Sequence, residues 1–213
     1  MKTTQEKIEQ AVQQAVFEQI WHETGRRYVV GAVSNRHVHL SVADKEALFG
    51  AGYELKRQKD LKQPGQYACM ETVTLVGPKG RIERIRVLGP ERPQTQVEVS
   101  VTDTYKLGIG AEVRMSGDIA GTPGGVLLAG ERRLELTEGV MVSARHLHLS
   151  AEQASAYGLK DQDVVRLRSG GARAVVFEEV LVRSGAGHEM EAHVDMDEAN
   201  AAGMRNGDML EII

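Results

Sequence analysis

Val33-Ser-Asn-Arg-His-Val-His-Leu-Ser41 and Val142-Ser-Ala-Arg-His-Leu-His-Leu-Ser150 agree at seven of nine positions, across an offset of 109 residues. A match of that kind within one chain marks a duplicated structural unit. In an extended strand, residues i and i+2 point to the same face. His37 with His39, and His146 with His148, would therefore each set two imidazoles on one side, with Val38 and Leu147 turned into a core. A weaker repeat relates residues 150–163 to residues 195–208: a helical turn series, a Gly suited to a C-terminal cap, a turn and then a strand at 164–167 and 209–213. Residues 106–114 look like a third copy of the Gly-turn-strand part. The simplest architecture is a duplicated small β-barrel whose two copies face each other, each offering one His-x-His strand end.

The surrounding sequence fits that architecture. Short β-branched runs at 73–76, 82–88 and 175–182 alternate with Gly- and Pro-containing turns, among them Gly77-Pro78-Lys79-Gly80, which should close a hairpin. With 23 glycines and only short helices between the strands, a mainly β, barrel-rich fold capped by helices is expected over alternating β/α layers. One longer helix precedes them. Ile8, Ala11, Val12, Ala15, Val16 and Ile20 recur at spacings of three and four after Thr4, a candidate N-cap, and predict an amphipathic helix over residues 4–21 that ends near Gly25.

Composition limits what such a fold could do. The 213 residues are 41% hydrophobic, enough to fill one large core or two small ones. With 26 basic and 30 acidic residues the formal net charge is −4, which gives no basic excess for nucleic acid, so an anionic ligand would have to be met locally. The only cysteine is Cys69, which excludes an internal disulfide, a redox pair or a thiolate metal cluster, and reads as a small buried apolar residue. No run approaches 18 apolar residues and the polar start lacks the centre of a signal peptide, so no membrane association and a cytoplasmic location are expected.

The candidate chemistry gathers at the histidines. Four imidazoles without thiolates suit zinc, cobalt, nickel or ferrous iron better than magnesium or calcium, and zinc is the default expectation. His193, which leads into the repeated helix cap, is the best fifth ligand. His188, in a glycine-rich loop, reads as a solvent-facing turn residue, and His22 belongs to the N-terminal helix. Glu98 stands between Val97 and Val99; it is either a solvated outward residue or a carboxylate facing a metal. Arg86 and Arg92 flank a Gly-Pro turn, where their guanidinium forks could clamp phosphate or simply lie on the surface.

Four blocks together resemble the PduL family of phosphate propanoyltransferases: residues 34–41, 88–100, 143–150 and 193–201, in the family's order and spacing, within a match running from about Val29 to the C-terminus. The resemblance implies two β-barrels from an interleaved duplication, residues 26–35 with 144–213 forming the first and 36–143 the second, behind the helix of residues 1–25. It implies two zinc ions per chain. One would be held by His37, His39, Glu98 and the coenzyme A sulfur, the other by His146, His148, His193 and waters. Arg92 matches the phosphate-contacting position; Ser34, Lys59, Arg86, Leu88 and Asn200 match positions lining the coenzyme A site. The implied reaction converts a short acyl-CoA, propanoyl or acetyl, plus phosphate into acyl phosphate plus coenzyme A, by direct phosphate attack. The competing expectations are a metal-dependent hydrolase and a non-catalytic metal-binding module of the same fold. In family members of bacterial microcompartments, associated with propanediol degradation, a comparable N-terminal peptide docks to a shell or core protein. For residues 4–21 the other readings are packing on the chain's own barrel or a dimer contact that would make a homo-oligomer.

Overall fold

The computed structural model describes residues 4–213, and the Thr4 cap expected from the sequence lies outside the described side chains. Among the described residues, fifteen strands and five helices build two β units. In the first, Arg27–Ser34, Glu191–Asp195, His146–Leu149, Val176–Ser184, Val164–Arg168 and Met209–Ile212 pair in that order and close back on Arg27–Ser34 as a six-stranded barrel. The second is a nine-stranded half-barrel. It runs Val113–Arg114, Val140–Ser143, Gln96–Val99, His37–His39, Arg81–Gly89, Tyr67–Val76, Gly125–Ala129, Arg132–Leu136, with Arg57–Asp60 added beside Tyr67–Val76. Each unit has its own core: Leu147, Leu149, Leu167, Val180 and Val182 fill the closed barrel, and Val38, Leu40, Ile85, Val87 and Val97 the open one.

The duplication is visible in the pairing as well as the sequence. His37–His39 lies parallel to Arg81–Gly89 and antiparallel to Gln96–Val99, just as His146–Leu149 lies parallel to Val176–Ser184 and antiparallel to Glu191–Asp195. It extends to the backbone: Arg84 and Glu179, at matching places on the two parallel neighbours, have φ of 58° and 54°, a strained region for residues with a Cβ. The two units also exchange chain. Arg27–Ser34 sits in the closed barrel and the next strand, His37–His39, in the open sheet; Val140–Ser143 sits in the open sheet and the next, His146–Leu149, in the closed barrel.

Both histidine strands end the same way. The Ser41 hydroxyl accepts from the Asp44 amide at 3.1 Å and starts the helix Val42–Phe49; the Ser150 hydroxyl accepts from the Gln153 amide at 3.1 Å and starts Ala151–Tyr157. Such caps contribute about 1 kcal/mol each and fix where the strand stops. The repeated helices Ala151–Tyr157 and Met196–Ala202 close at Gly158 and Gly203, whose φ of 67° and 63° explain why glycine recurs there. The expected hairpin forms: the Gly77 amide donates to the Gly80 carbonyl at 2.9 Å between Tyr67–Val76 and Arg81–Gly89. A Cβ on Gly77 would come within 2.4 Å of the Leu107 carbonyl oxygen, so only glycine fits.

The N-terminal helix runs Thr4–Thr24, but it does not bury the stripe that the apolar spacing singled out. Ile8, Val12 and Val16 stay 58%, 57% and 47% exposed, while Phe17 is buried and Trp21 packs edge-on against Tyr157 of the barrel. The aromatic pair decides the packing face because each ring removes far more apolar surface from water than a valine does. No helix among the described residues is long and apolar enough to cross a membrane.

Candidate active site

The two histidine strands and their neighbours open onto one cleft of about 1220 Å³, which is lined by His37, His39 and Glu98 from the half-barrel and by His146, His148 and His193 from the closed barrel. Register explains the grouping. Residues paired across a ladder share a face, and His37 pairs with Glu98 as His146 pairs with His193. In each unit the third donor therefore stands directly opposite the first histidine. Donor atoms of His146, His148 and His193 lie within 4.8 Å of one another. In the half-barrel the Nε2 of His37 is 3.5 Å from Glu98, and the His37 and His39 rings stand 5.2 Å apart, nearly perpendicular. Glu98, though flanked by core valines, is buried and faces the cleft.

Hydrogen bonds behind the rings fix their orientation. His37 Nδ1 lies 2.8 Å from the Asn35 carbonyl and His146 Nδ1 2.9 Å from the Ala144 carbonyl; donation to these oxygens leaves each Nε2 a bare lone pair directed at the cleft. His39 Nδ1 is buried with no protein partner, as expected of a ring whose remaining partner is a ligand. The arginine common to both repeats is also accounted for. Arg36 forms an ion pair with Asp103 at 3.0 Å and Arg145 one with Glu198, each acid being the capping-box residue of the helix that follows the third-donor strand. Each crossing segment is thereby tied to the strand that completes its trio. The donor set of imidazoles and one carboxylate fits a borderline divalent metal such as zinc, and the orphaned His39 nitrogen agrees with that.

The electrostatics keep most of these rings neutral, the form in which an imidazole can ligate a metal. Burial, reinforced by the His37 and Arg92 charges, lowers the His39 pKa to about 3. Burial and His193 lower His146 to about 4; burial with His146 and His193 lowers His148 to about 2. For His37, burial acts downward but the Glu98 carboxylate and the Asn35 carbonyl outweigh it and raise the value. Glu98 is correspondingly held well below the carboxylate range: His37 and Ser116 overcome its burial. These shifts set the acid sensitivity of the metal-free protein. Unfolding releases three rings to an ordinary pKa near 6.5, so the unfolded chain binds more protons and stability falls as pH drops below that value, by roughly 1 kcal/mol per ring per pH unit. Glu98 adds loss in the same direction at still lower pH, whereas the His37 contribution is present below 6.5 and is lost as pH rises through its folded value. Thermal melts in chelator should show the midpoint falling steadily from pH 7 to 5; a flat or rising midpoint would contradict the neutral-ring assignment.

Arg92 lines the cleft beside Glu98, its Nη1 3.1 Å from Ser116 Oγ, which in turn donates to Glu98 at 2.9 Å. Ser34, Lys59, Arg86 and Leu88 also line the cleft. Asn200 does not: it is exposed on Met196–Ala202, and Asn206, holding the Val33 amide at 2.7 Å, lines the cleft instead. His188 is not the solvent-facing residue its loop suggested. Its ring stacks on His148 at 4.7 Å with the Nδ1 atoms 2.9 Å apart. Glu191, 2.8 Å from His193 Nε2, and Arg183, in register with His148, are cleft residues that the sequence did not single out, although Glu191 sits two residues from His193 on the same strand. Cys69 is fully buried, and burial with Glu71 and Glu91 pushes its thiol up to about 11, so it is no nucleophile.

Comparison with known proteins gives this cleft its context. The phosphate propanoyltransferase family matches residues 30–205. A phosphate propanoyltransferase of Thermotoga maritima is 50% identical over 186 residues, 87% of this chain and 89% of its own. One from Listeria monocytogenes is 46% identical over 84% of both chains, and one from Clostridioides difficile 40% identical over 97% of this chain and 99% of its own. The match spans both histidine strands and every trio residue, and with it the chain belongs to the phosphate propanoyltransferase family of acyltransferases.

Proposed function

We propose that this acyltransferase interconverts a short-chain acyl-CoA plus phosphate with acyl phosphate plus coenzyme A, propanoyl and acetyl being the candidate acyl groups, at a cleft that binds two divalent metal ions, zinc by default. The observation that supports it is the pair of trios, His37, His39, Glu98 and His146, His148, His193, facing one cleft together with Arg92. A metal held there would supply Lewis acidity, easing departure of a thiolate and stabilising negative charge that develops on the acyl carbonyl. The remaining work falls to side chains. Arg92, oriented by Ser116, binds phosphate and presents one of its oxygens to the thioester carbon, turning a bimolecular attack into a positioned one. A C–O bond forms between the phosphate oxygen and the acyl carbon, the C–S bond breaks, and its electron pair leaves with sulfur. No enzyme nucleophile is required. Arg86, Leu88, Lys59 and Ser34 form the wall along which coenzyme A would lie.

The deciding experiment follows thiol release from acetyl-, propanoyl- and butanoyl-CoA with and without phosphate, before and after chelation. The expected result is phosphate-dependent release that chelator abolishes and added zinc, cobalt, nickel or iron restores, with acyl phosphate recovered in equal amount. Release without phosphate would mark a hydrolase. Bound metal with no turnover of any acyl-CoA would mark a non-catalytic module.

A further inference from the structure

Arg183 presents an unusual situation for a cation. It lies on Val176–Ser184, paired in parallel with His148, and its neighbours Val180 and Val182 are wholly buried in the barrel core. Alternation therefore turns Leu181 and Arg183 to the face carrying His146 and His148, and Arg183 lines the cleft. It is half-buried, yet among the described residues no hydrogen bond or ion pair engages its guanidinium. The duplicated strand makes the contrast sharp. There the position equivalent to Arg183 is Leu88, opposite His39, and the neighbouring Arg86, opposite His37, spends its guanidinium on the Cys69 and Met70 carbonyls at 2.9 Å each, whereas Arg183 has no such acceptors.

The other groups facing this part of the cleft offset it only in part: the exposed Asp161 carboxylate feels its charge as an attraction, but no ion pair forms between them. Arg92 reaches in from the half-barrel, and the charge of Arg183 is felt at Arg92, His146, His148 and His188, acting in each case against a second positive charge. Of the nearby acids, Glu98 is engaged by His37, Gln96 and Ser116, Glu191 by His193 and Gln63, and Asp161 by the Ser184 amide and Gln162. Two arginine side chains converging without a free carboxylate are unfavourable until an anion arrives, and the planar fork of each matches a pair of phosphate oxygens.

We infer that Arg183 is a second phosphate-binding residue, holding inorganic phosphate from the closed-barrel side of the cleft while Arg92 holds it from the half-barrel side. This rests on the reading above that an acyl group is transferred to phosphate. Gripped from both units, the phosphate would be fixed between the trios with one oxygen free for attack. Phosphate binding would also report on the relative position of the two units, which neither arginine alone could do.

The test compares full-length wild type, Arg183→Gln and Arg183→Lys in steady state, varying phosphate at saturating acyl-CoA and then the reverse. Arg183→Gln should raise the KM for phosphate by about 10- to 100-fold, the weight of a charge-assisted bidentate contact, with the KM for acyl-CoA within about two-fold of wild type. Lysine should restore part of the loss. As a readout separate from turnover, phosphate should raise the thermal midpoint of wild type and fail to raise that of Arg183→Gln at equal concentration. An unchanged phosphate KM, or a rise confined to the KM for acyl-CoA, would overturn the assignment while leaving the reaction intact. Turnover of wild type that ignores phosphate altogether would overturn the reaction and the assignment together.

Discussion

His146→Ala and His37→Ala are each expected to lower phosphate-dependent thiol release by a factor on the order of 10³ or more, with the fold retained. The magnitude follows from where the rings stand. Weakening a group that merely orients a ligand typically costs 10- to 100-fold in metal affinity or activity, and loss of one of three protein donors should cost more. His146 meets both His148 and His193, at centroid distances of 4.7 and 4.9 Å, and its removal leaves a pair where there was a trio. His37 is the ring in contact with Glu98, so its removal strands a buried carboxylate as well. Stability separates the two variants. His146→Ala removes a buried ring that resists protonation and should blunt the acid sensitivity of the metal-free protein, whereas His37→Ala leaves the buried Glu98 carboxylate without its counter-charge and should lower the midpoint at pH 7, where that carboxylate is ionised. Measured kcat, bound metal per chain and melts at pH 5 and 7 check all three statements. Turnover within ten-fold of wild type in either variant would remove the trios from the mechanism.

What the sequence revealed of this site, and what it concealed, follows from the range of the interactions involved. Strand alternation is local, so His37 with His39 and His146 with His148 were legible as same-face pairs. Duplication carried further, because two equal strands imply two equal sets of neighbours, and the pairing of His37 with Glu98 and of His146 with His193 is that equality in three dimensions. Residues whose role depends on which strand lies next door were concealed. Arg183 reads as one charge in an alternating run until its parallel register with His148 is known. Ser116 and Asn206 come from turns, and nothing in a turn's composition says which backbone or carboxylate it will reach. His188 was misjudged for a related reason: a glycine-rich loop reads as exposed, but this one folds back over His148. The N-terminal helix shows the limit of periodicity itself, since the regular aliphatic spacing of Ile8, Val12 and Val16 yielded to two aromatic residues on another face. The duplication predicts two like units, but not that one closes and the other stays open; the extra strands Gly125–Ala129 and Arg132–Leu136, which have no counterpart in the closed barrel, extend the half-barrel sheet past the point of closure.

Arg92→Ala should reduce kcat/KM for phosphate by about 10²- to 10³-fold while leaving the bound metal in place, and Arg92→Lys should recover little of it. The backbone around this residue is held independently of its side chain. The Arg92 amide donates to the Leu40 carbonyl at 2.9 Å, and the preceding Glu91 pairs with Lys45 at 2.7 Å, so truncation leaves the loop standing. What disappears is a half-buried guanidinium that Ser116 aims beside Glu98, and with it the geometry that presents a phosphate oxygen to the acyl carbon. Lysine restores charge but not the fork, and it cannot keep the Ser116 contact while gripping two phosphate oxygens. The loss should therefore fall on kcat and on the KM for phosphate together, with the KM for acyl-CoA nearly constant. Arg183 acts from the opposite wall, so joint replacement of both arginines should cost less than the product of the two single losses: once one grip is gone, the second can no longer fix the oxygen's direction. Steady-state kinetics of the two single variants and the double variant at varied phosphate provide the cycle. A phosphate KM within two-fold of wild type in Arg92→Ala, or strict multiplicativity of the two arginines, would mean that they do not share one phosphate.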